Sequence, residues 1–368
     1  MPSPIYKELR EQLDQYSCGF PITESGVELR ILERLFTEGD AELFLSLSLK
    51  RETAEDVAKR LGRDPEGVAS TLEEMGEKGL VFCSVAGEAK SYGALPFVPG
   101  IYELQLATMD RELAALCEQY FDEALLRQAA SVEPFMRTVP VNRSVDISRT
   151  IATYDDSRAI VRGQSSIALA NCICRVQQGL LDKGCEKPLE VCLLFGKWGQ
   201  HYIDSGMARP ITVAEALAVL DRAEAAGLVT QPSSSQNPGG MCNCCGECCA
   251  VLRGLNRLPR PAEAVTSSYF GVVDSDACSG CGTCLERCQM GAIALNDEPV
   301  AEISLDRCIG CGLCVTTCPT EALRLEVKPE DRRPEPVKTE AEAMRMMAQK
   351  RGKSLTPLAF SKTARSPH

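Results

Sequence analysis

Two cysteine runs in the last third of the chain carry its clearest chemistry. Cys278-x2-Cys281-x2-Cys284-x3-Cys288 is followed by Cys308-x2-Cys311-x2-Cys314-x3-Cys318-Pro319. This is the spacing with which three thiolates of one loop and a fourth from the other run hold a [4Fe-4S] cube. The crossed pattern assigns Cys278, Cys281, Cys284 and Cys318 to one cluster, and Cys308, Cys311, Cys314 and Cys288 to the other. Gly280, Gly282, Gly310 and Gly312 leave room for the backbone to approach. A zinc ribbon needs four cysteines and leaves the doubling unexplained. One departure stands out: Gln289 occupies the place where a proline usually follows the fourth cysteine. It removes no ligand but bears on the potential of the first cluster.

A second set of thiols lies upstream. Cys172, Cys174, Cys185 and Cys192 precede Cys242, Cys244, Cys245, Cys248 and Cys249, and the last five fall within Met241-Cys-Asn-Cys-Cys-Gly-Glu-Cys-Cys249. Burial as small hydrophobes suits the isolated Cys18, Cys83 and Cys117, but not five thiols crowded onto one polar loop. At least one further Fe–S cluster is expected here, with structural zinc or redox-active thiols as alternatives. Arg175, beside Cys174, is expected to offer charge and N–H donors to such a cluster; the competing reading is a solvated residue at a helix start. His201 lies near Trp198 and Tyr202 and reads as a packed residue, not a ligand.

Composition narrows the class. The chain has 368 residues, 20 cysteines and a net charge of -11. Thiols at metal-binding spacing imply a reducing interior, so a cytoplasmic protein of a low-oxygen niche is expected. No segment has the apolar length of a signal peptide core or a membrane span, so membrane insertion is not expected. From Lys328 onward ten Lys/Arg face five Asp/Glu, leaving a basic tail on an acidic body of about -16. An acidic body argues against nucleic acid. Two histidines leave little scope for imidazole acid–base catalysis.

The elements that must position these residues are partly legible. Thr53 and Asp56 bracket a capping box that opens a helix carrying Val57, Ala58 and Leu61. Asp64-Pro65 caps a second helix with Val68, Leu72 and Met75 inward, ended by Gly79, and a hairpin turning at Gly87 follows. The outline is a winged helix-turn-helix. Between Thr53 and Gly79, however, seven acids outnumber four bases, so protein docking is expected and not DNA binding. A long helix is expected from about Ile101 to Ala130, then a connector over 131–165 with little regular structure. Further helices are expected from Pro188 through Tyr202, and from Thr212 to Gly227. Gln231–Gly240, rich in Pro, Ser and Gly, reads as a loop. Met344 and Met347 lie on a helical stretch of the tail suited to a partner's surface.

The segment from about Asp274 to Leu325 resembles a bacterial two-cluster ferredoxin. The whole chain resembles a group of ferredoxin-type proteins from anaerobic bacteria. The residues that carry this are Pro96-Phe-Val-Pro-Gly-Ile-Tyr-Glu103, Cys172-Ile-Cys-Arg175, Pro188-Leu-Glu-Val-Cys192, Met241-Cys-Asn-Cys-Cys-Gly246 and both ferredoxin runs. The resemblance implies an α+β multidomain fold: a winged-helix-like domain (1–100), a long helix and connector (101–165), an α-rich cysteine-binding domain (166–262), a ferredoxin-like domain (263–327) and a basic tail (328–368).

The resulting expectation is an iron–sulfur electron-transfer subunit or adaptor. It would relay single electrons between protein partners through two [4Fe-4S] clusters and one more in the middle. No Walker A sequence and no dinucleotide fingerprint occurs, so a partner should supply flavin or other cofactor chemistry. The alternatives are a redox-sensing regulator, and a reductase with an unusual middle cluster.

Overall fold

The computed structural model describes residues 3–87, 89–130, 134–141, 144 and 153–358. Helix and sheet are mixed, as in an α+β protein. The chain divides into two compact units: Met1–Glu133 with Leu180–Asp182 and Met344–His368, and Pro134–Gly179 with Lys183–Ala343. Among the described residues no helix is long and apolar enough to cross a membrane.

In the first unit, short amphipathic helices bury one stripe each. Thr53 accepts the backbone N–H of Asp56 at the start of Ala54–Leu61, and Asp64 accepts that of Gly67 at the start of Pro65–Glu77. Val57, Ala58, Val68, Leu72 and Met75 face inward. Strands β1 (Phe82–Ala86) and β2 (Ala89–Gly93) then pair antiparallel. The single long helix expected from Ile101 is not formed. A 3-10 turn at Glu103–Gln105 comes first, and the helix starts at Arg111, where Asp110 caps Leu113 N–H. Asp110 is a strong N-cap, so it resets the helix start. Phe97, Tyr102, Tyr120 and Phe121 join Phe20 in an aromatic core, with the Phe20 and Phe97 centroids 4.5 Å apart.

The tail was expected to meet a partner, and here the structure corrects the sequence. Met347 and Ala348 are buried, and Ser17 Oγ contacts the Met347 sulfur. Arg351 donates to the backbone carbonyls of Asp14, Tyr16 and Ser17. The apolar stripe and the base find their partners inside the first unit. Residues 359–368 lie outside the described set.

The second unit holds an antiparallel sheet of five strands: β3 (Ile167–Asn171), β4 (Glu190–Phe195), β5 (Ala208–Ile211), β6 (Val229–Pro232) and β7 (Gly240–Cys244). Their order is β5-β3-β4-β7-β6. The middle region therefore adds a sheet, which the sequence reading did not anticipate, to helices Ile173–Leu180, Gly196–Asp204, Val213–Ala225 and Ala250–Asn256. The helix expected from Pro188 is preceded by strand β4, because Val191, Leu193 and Phe195 alternate inward with a period of two; helix begins only at Gly196. Helix Val213–Ala225 opens at the expected capping box of Thr212 and Glu215. Part of the expected loop 231–240 is strand, and Cys242 and Cys244 lie on β7.

The expected connector also carries structure where it is described. Ser157–Arg162 is a helix capped by Asp156. Arg137 is 1% exposed and donates to Asp155 at 3.2 Å, while Asp155 accepts the Ser268 hydroxyl at 2.9 Å. Beyond the sheet, β8 (Tyr269–Val273) pairs with β11 (Leu323–Val327), and β9 (Ile293–Leu295) with β10 (Ala301–Ile303). These two antiparallel pairs frame the two C-terminal cysteine loops.

Candidate metal centres

The pseudo-repeat of the C-terminal region folds into two pockets that exchange one cysteine each. One pocket is lined by Cys278, Cys281, Cys284 and Cys318. The other is lined by Cys308, Cys311, Cys314 and Cys288. Each quartet draws three thiols from one run and the fourth from the other. The two loops turn at equivalent glycines. A Cβ on Gly280 (φ +67°) would lie 2.0 Å from the Pro299 carbonyl oxygen, and one on Gly310 (φ +70°) 2.2 Å from that of Tyr269. No other residue fits so close an approach.

The pockets differ in their access to water. Cys281 is exposed, whereas Cys311 is half-buried, and burial pushes its thiol well up. The Thr283 hydroxyl and nearby N–H groups hold the exposed Cys281 thiol below its ordinary value. Backbone N–H groups point at sulfurs in both pockets: Ala301 at Cys278 (3.4 Å), Ala292 at Cys288 (3.2 Å) and Gly271 at Cys308 (3.4 Å). Such donors stabilise thiolate charge and tune a bound cluster. The donor set, the apolar walls and the glycine turns all fit a four-thiolate cluster.

The nine upstream thiols separate into two groups, and strand alternation divides them. Leu193 pairs with Met241 across β4 and β7, which brings Cys192 and Cys242 side by side. Cys242 and Cys244 lie two residues apart on one face of β7, and their thiols are in contact. Cys244 also meets Cys249, which meets Cys174, which meets Cys172. Cys192 in turn feels the charge of Cys172 and Cys174, so the six thiols curl into a ring. Cys245 turns the other way. With Cys248 and Cys185 it forms a compact triad whose sulfurs all lie within 4.8 Å of one another.

Arg175 stands between the two groups. It is 4% exposed, donates to the carbonyls of Pro188 and Asn243 at 3.0 Å each, and is not the solvated residue that was the competing reading. Burial works against its charge, but Cys172, Cys245, Cys244 and Cys185 outweigh that and raise its pKa. Its Nε is buried with no hydrogen-bond partner, an orphan donor of the kind a bound sulfide or thiolate satisfies. The six-thiol ring and this donor together fit an iron–sulfur cluster.

Apolar packing runs without interruption from ring to ferredoxin loops. Cys244 and Cys249 share one core with Leu252, Met290, Ile309 and Leu313, against which Cys288, Cys308 and Cys311 pack. Cys288 also packs against the core of Cys284, Ile293, Ala301 and Leu323. Cys288 thus touches the surroundings of both pockets.

The thiols outside these groups behave as expected of small core residues. Cys18 and Cys117 are buried and Cys83 half-buried; burial pushes the Cys18 thiol up to about 12. His201 is buried. Two features escaped sequence reading. One is the split of Cys245 and Cys248 from Cys244 and Cys249, for which the adjacency of Cys244 and Cys245 was a signal. The other is the role of Gln289, whose side chain holds the Gly246 N–H at 2.6 Å.

Residues 271–325 match the family model of the 4Fe-4S dicluster domain. No curated protein and no solved structure matches the chain. The dicluster match and the cysteine-rich segments mark this as an iron–sulfur protein.

Proposed function

We propose that the chain is an electron-transfer subunit or adaptor that passes single electrons between protein partners through three iron–sulfur sites. The observation that supports this best is the shared apolar core joining the six-thiol ring to the Cys308, Cys311, Cys314 and Cys288 pocket, and that pocket to the exposed one through Cys288. In this reading two [4Fe-4S] clusters are held by the crossed quartets, and a third cluster by Cys172, Cys174, Cys192, Cys242, Cys244 and Cys249. When bound, the clusters supply one-electron chemistry. The residues of the chain do the rest. Met290, Ile309 and Leu313 exclude water between the sites, the backbone N–H donors steady the thiolates, and Arg175 balances negative charge at the ring.

The exposed Cys281 makes its pocket the place of exchange with a partner protein that carries flavin or another redox cofactor. The winged-helix-like elements of the first unit serve protein docking in this account. Glu73 of Pro65–Glu77 pairs with Lys90 of β2, and the remaining acids of that helix repel phosphate. In this reading the chain binds no nucleic acid and does not insert into a membrane. A steady-state assay with a reduced low-potential flavoprotein as donor and a one-electron dye as acceptor tests the relay. Cys308→Ser should stop throughput while leaving donor binding intact; wild-type throughput in that variant would sink the proposal.

A further inference from the structure

We infer that Cys185, Cys245 and Cys248 form a separate site for a single tetrahedral thiophilic ion, zinc in ordinary media, with oxygen in the fourth position. This goes beyond the electron relay and does not depend on it.

The sulfur spacing suits one ion. Two thiolates on one tetrahedral ion, at metal–sulfur bonds of about 2.3 Å, stand about 3.8 Å apart. Cys185 and Cys245 are 3.7 Å apart, and all three sulfurs lie within 4.8 Å of one another. A cubane seats each thiolate on a different iron and therefore spreads them wider. Among the described residues no three thiols of the ferredoxin pockets or of the ring meet the same spacing.

The triad packs in a different core from most of the ring, and of the ring's thiols Cys172 alone packs against the triad's core. Cys245 and Cys248 are each 1% exposed and pack with Val191, Leu193 and Phe195, whereas Cys244 and Cys249 pack with Leu252 and Met290. Charge is balanced there too. Three thiolates and a divalent ion leave one negative charge, which is costly when buried alone. Arg175 acts on both Cys245 and Cys185 and offsets it. One side of the triad meets solvent at Glu247, whose carboxylate contacts Cys245 and pairs with Lys187. Three sulfurs and an opening on one side are the make-up of a zinc site with an exchangeable ligand. The oxygen comes from Glu247 or from water.

The test uses the full chain purified anaerobically, with zinc, iron and acid-labile sulfide measured together and zinc-edge X-ray absorption recorded. About one zinc per chain is expected, bound by three sulfurs and one oxygen. Cys185→Ser should lose that zinc and keep its iron and sulfide; Cys174→Ser should keep the zinc and lose only the iron and sulfide held by the ring. Loss of iron and sulfide from Cys185→Ser, a zinc shell of four sulfurs, or no zinc after reconstitution with the metal alone would each overturn the inference. Cobalt substitution of the unmutated chain reads the same site without a variant, since three thiolates give intense sulfur-to-cobalt absorption; its absence counts against the site. In Glu247→Gln, zinc affinity weakened about 10–100-fold assigns the oxygen to the carboxylate, and unchanged affinity assigns it to water. A chain without iron that still holds this zinc would refute the relay and leave the triad standing.

Discussion

Gly246 donates its backbone N–H to the side-chain oxygen of Gln289 at 2.6 Å, and the Asn256 amide donates to the Gln289 carbonyl at 3.0 Å. The residue that follows Cys288 therefore grips the turn between Cys245 and Cys248. A proline at this position would offer no side-chain acceptor to Gly246. The departure from the usual ferredoxin run thus has a physical reason: the second unit fastens its upstream cysteine loop to its ferredoxin loop at this point.

Gln289→Ala should leave the eight ferredoxin cysteines in place and loosen the loop of Gly246. An unsatisfied N–H of this kind costs about 1–3 kcal/mol. Thermal unfolding of the iron-loaded protein should shift down accordingly, and the upstream thiols should become more reactive to an alkylating agent. Equal alkylation in variant and wild type would show that the contact does not hold the loop.

Cys288→Ser should damage the site that also contains Cys308, Cys311 and Cys314, because Cys288 lines that pocket and not its neighbour. EPR of the reduced variant should lose one [4Fe-4S] signal and retain that of the exposed site. Selective loss of the Cys278, Cys281 and Cys284 site would reverse the assignment.

Arg137 and Asp155 form a buried ion pair in the segment expected to be a plain connector. Burial pulls the Arg137 guanidinium down to about 10 and pushes the Asp155 carboxyl up, so each charge depends on the other. Arg137→Met should cost about 3–5 kcal/mol by stranding the carboxylate. Adding Asp155→Leu to it should recover most of the loss. Equal melting temperatures for the single variant and the wild type would contradict the pair's importance.

The ferredoxin run was legible as a 4Fe-4S dicluster domain because ligand spacing along a short loop limits which sulfurs can reach one pocket. Capped helices were legible too, as Thr53, Asp64 and Thr212 show, since a cap acts over three residues. Strand β4 was not, because Pro188 and the later Trp198 drew a helix over residues whose true period is two. The division of the middle thiols was hidden for a related reason. Neighbours in sequence such as Cys244 and Cys245 point to opposite sides, and only pairing with Cys192 shows which side belongs to the ring. The fate of the tail depended on contacts over 300 residues away in sequence, beyond any local pattern.

Removal of residues 344–368 should destabilise the first unit, since Met347 is 2% exposed and Arg351 holds three carbonyls. Met347→Ala alone should cost about 2–5 kcal/mol. Limited proteolysis should then cut the first unit faster while cluster EPR signals of the second unit persist. An unchanged cleavage rate would mean that the tail contributes nothing to folding.

Iron and acid-labile sulfide analysis of the anaerobically purified chain, paired with EPR before and after Cys174→Ser, bears most directly on the three-site relay. Two four-iron clusters account for about eight iron atoms per chain, and the ring should raise the wild type above that figure. Cys174→Ser should bring iron and sulfide back to about eight and leave the two ferredoxin signals intact. A wild-type chain with zinc but no sulfide, or with iron and sulfide unchanged by Cys174→Ser, would contradict the account.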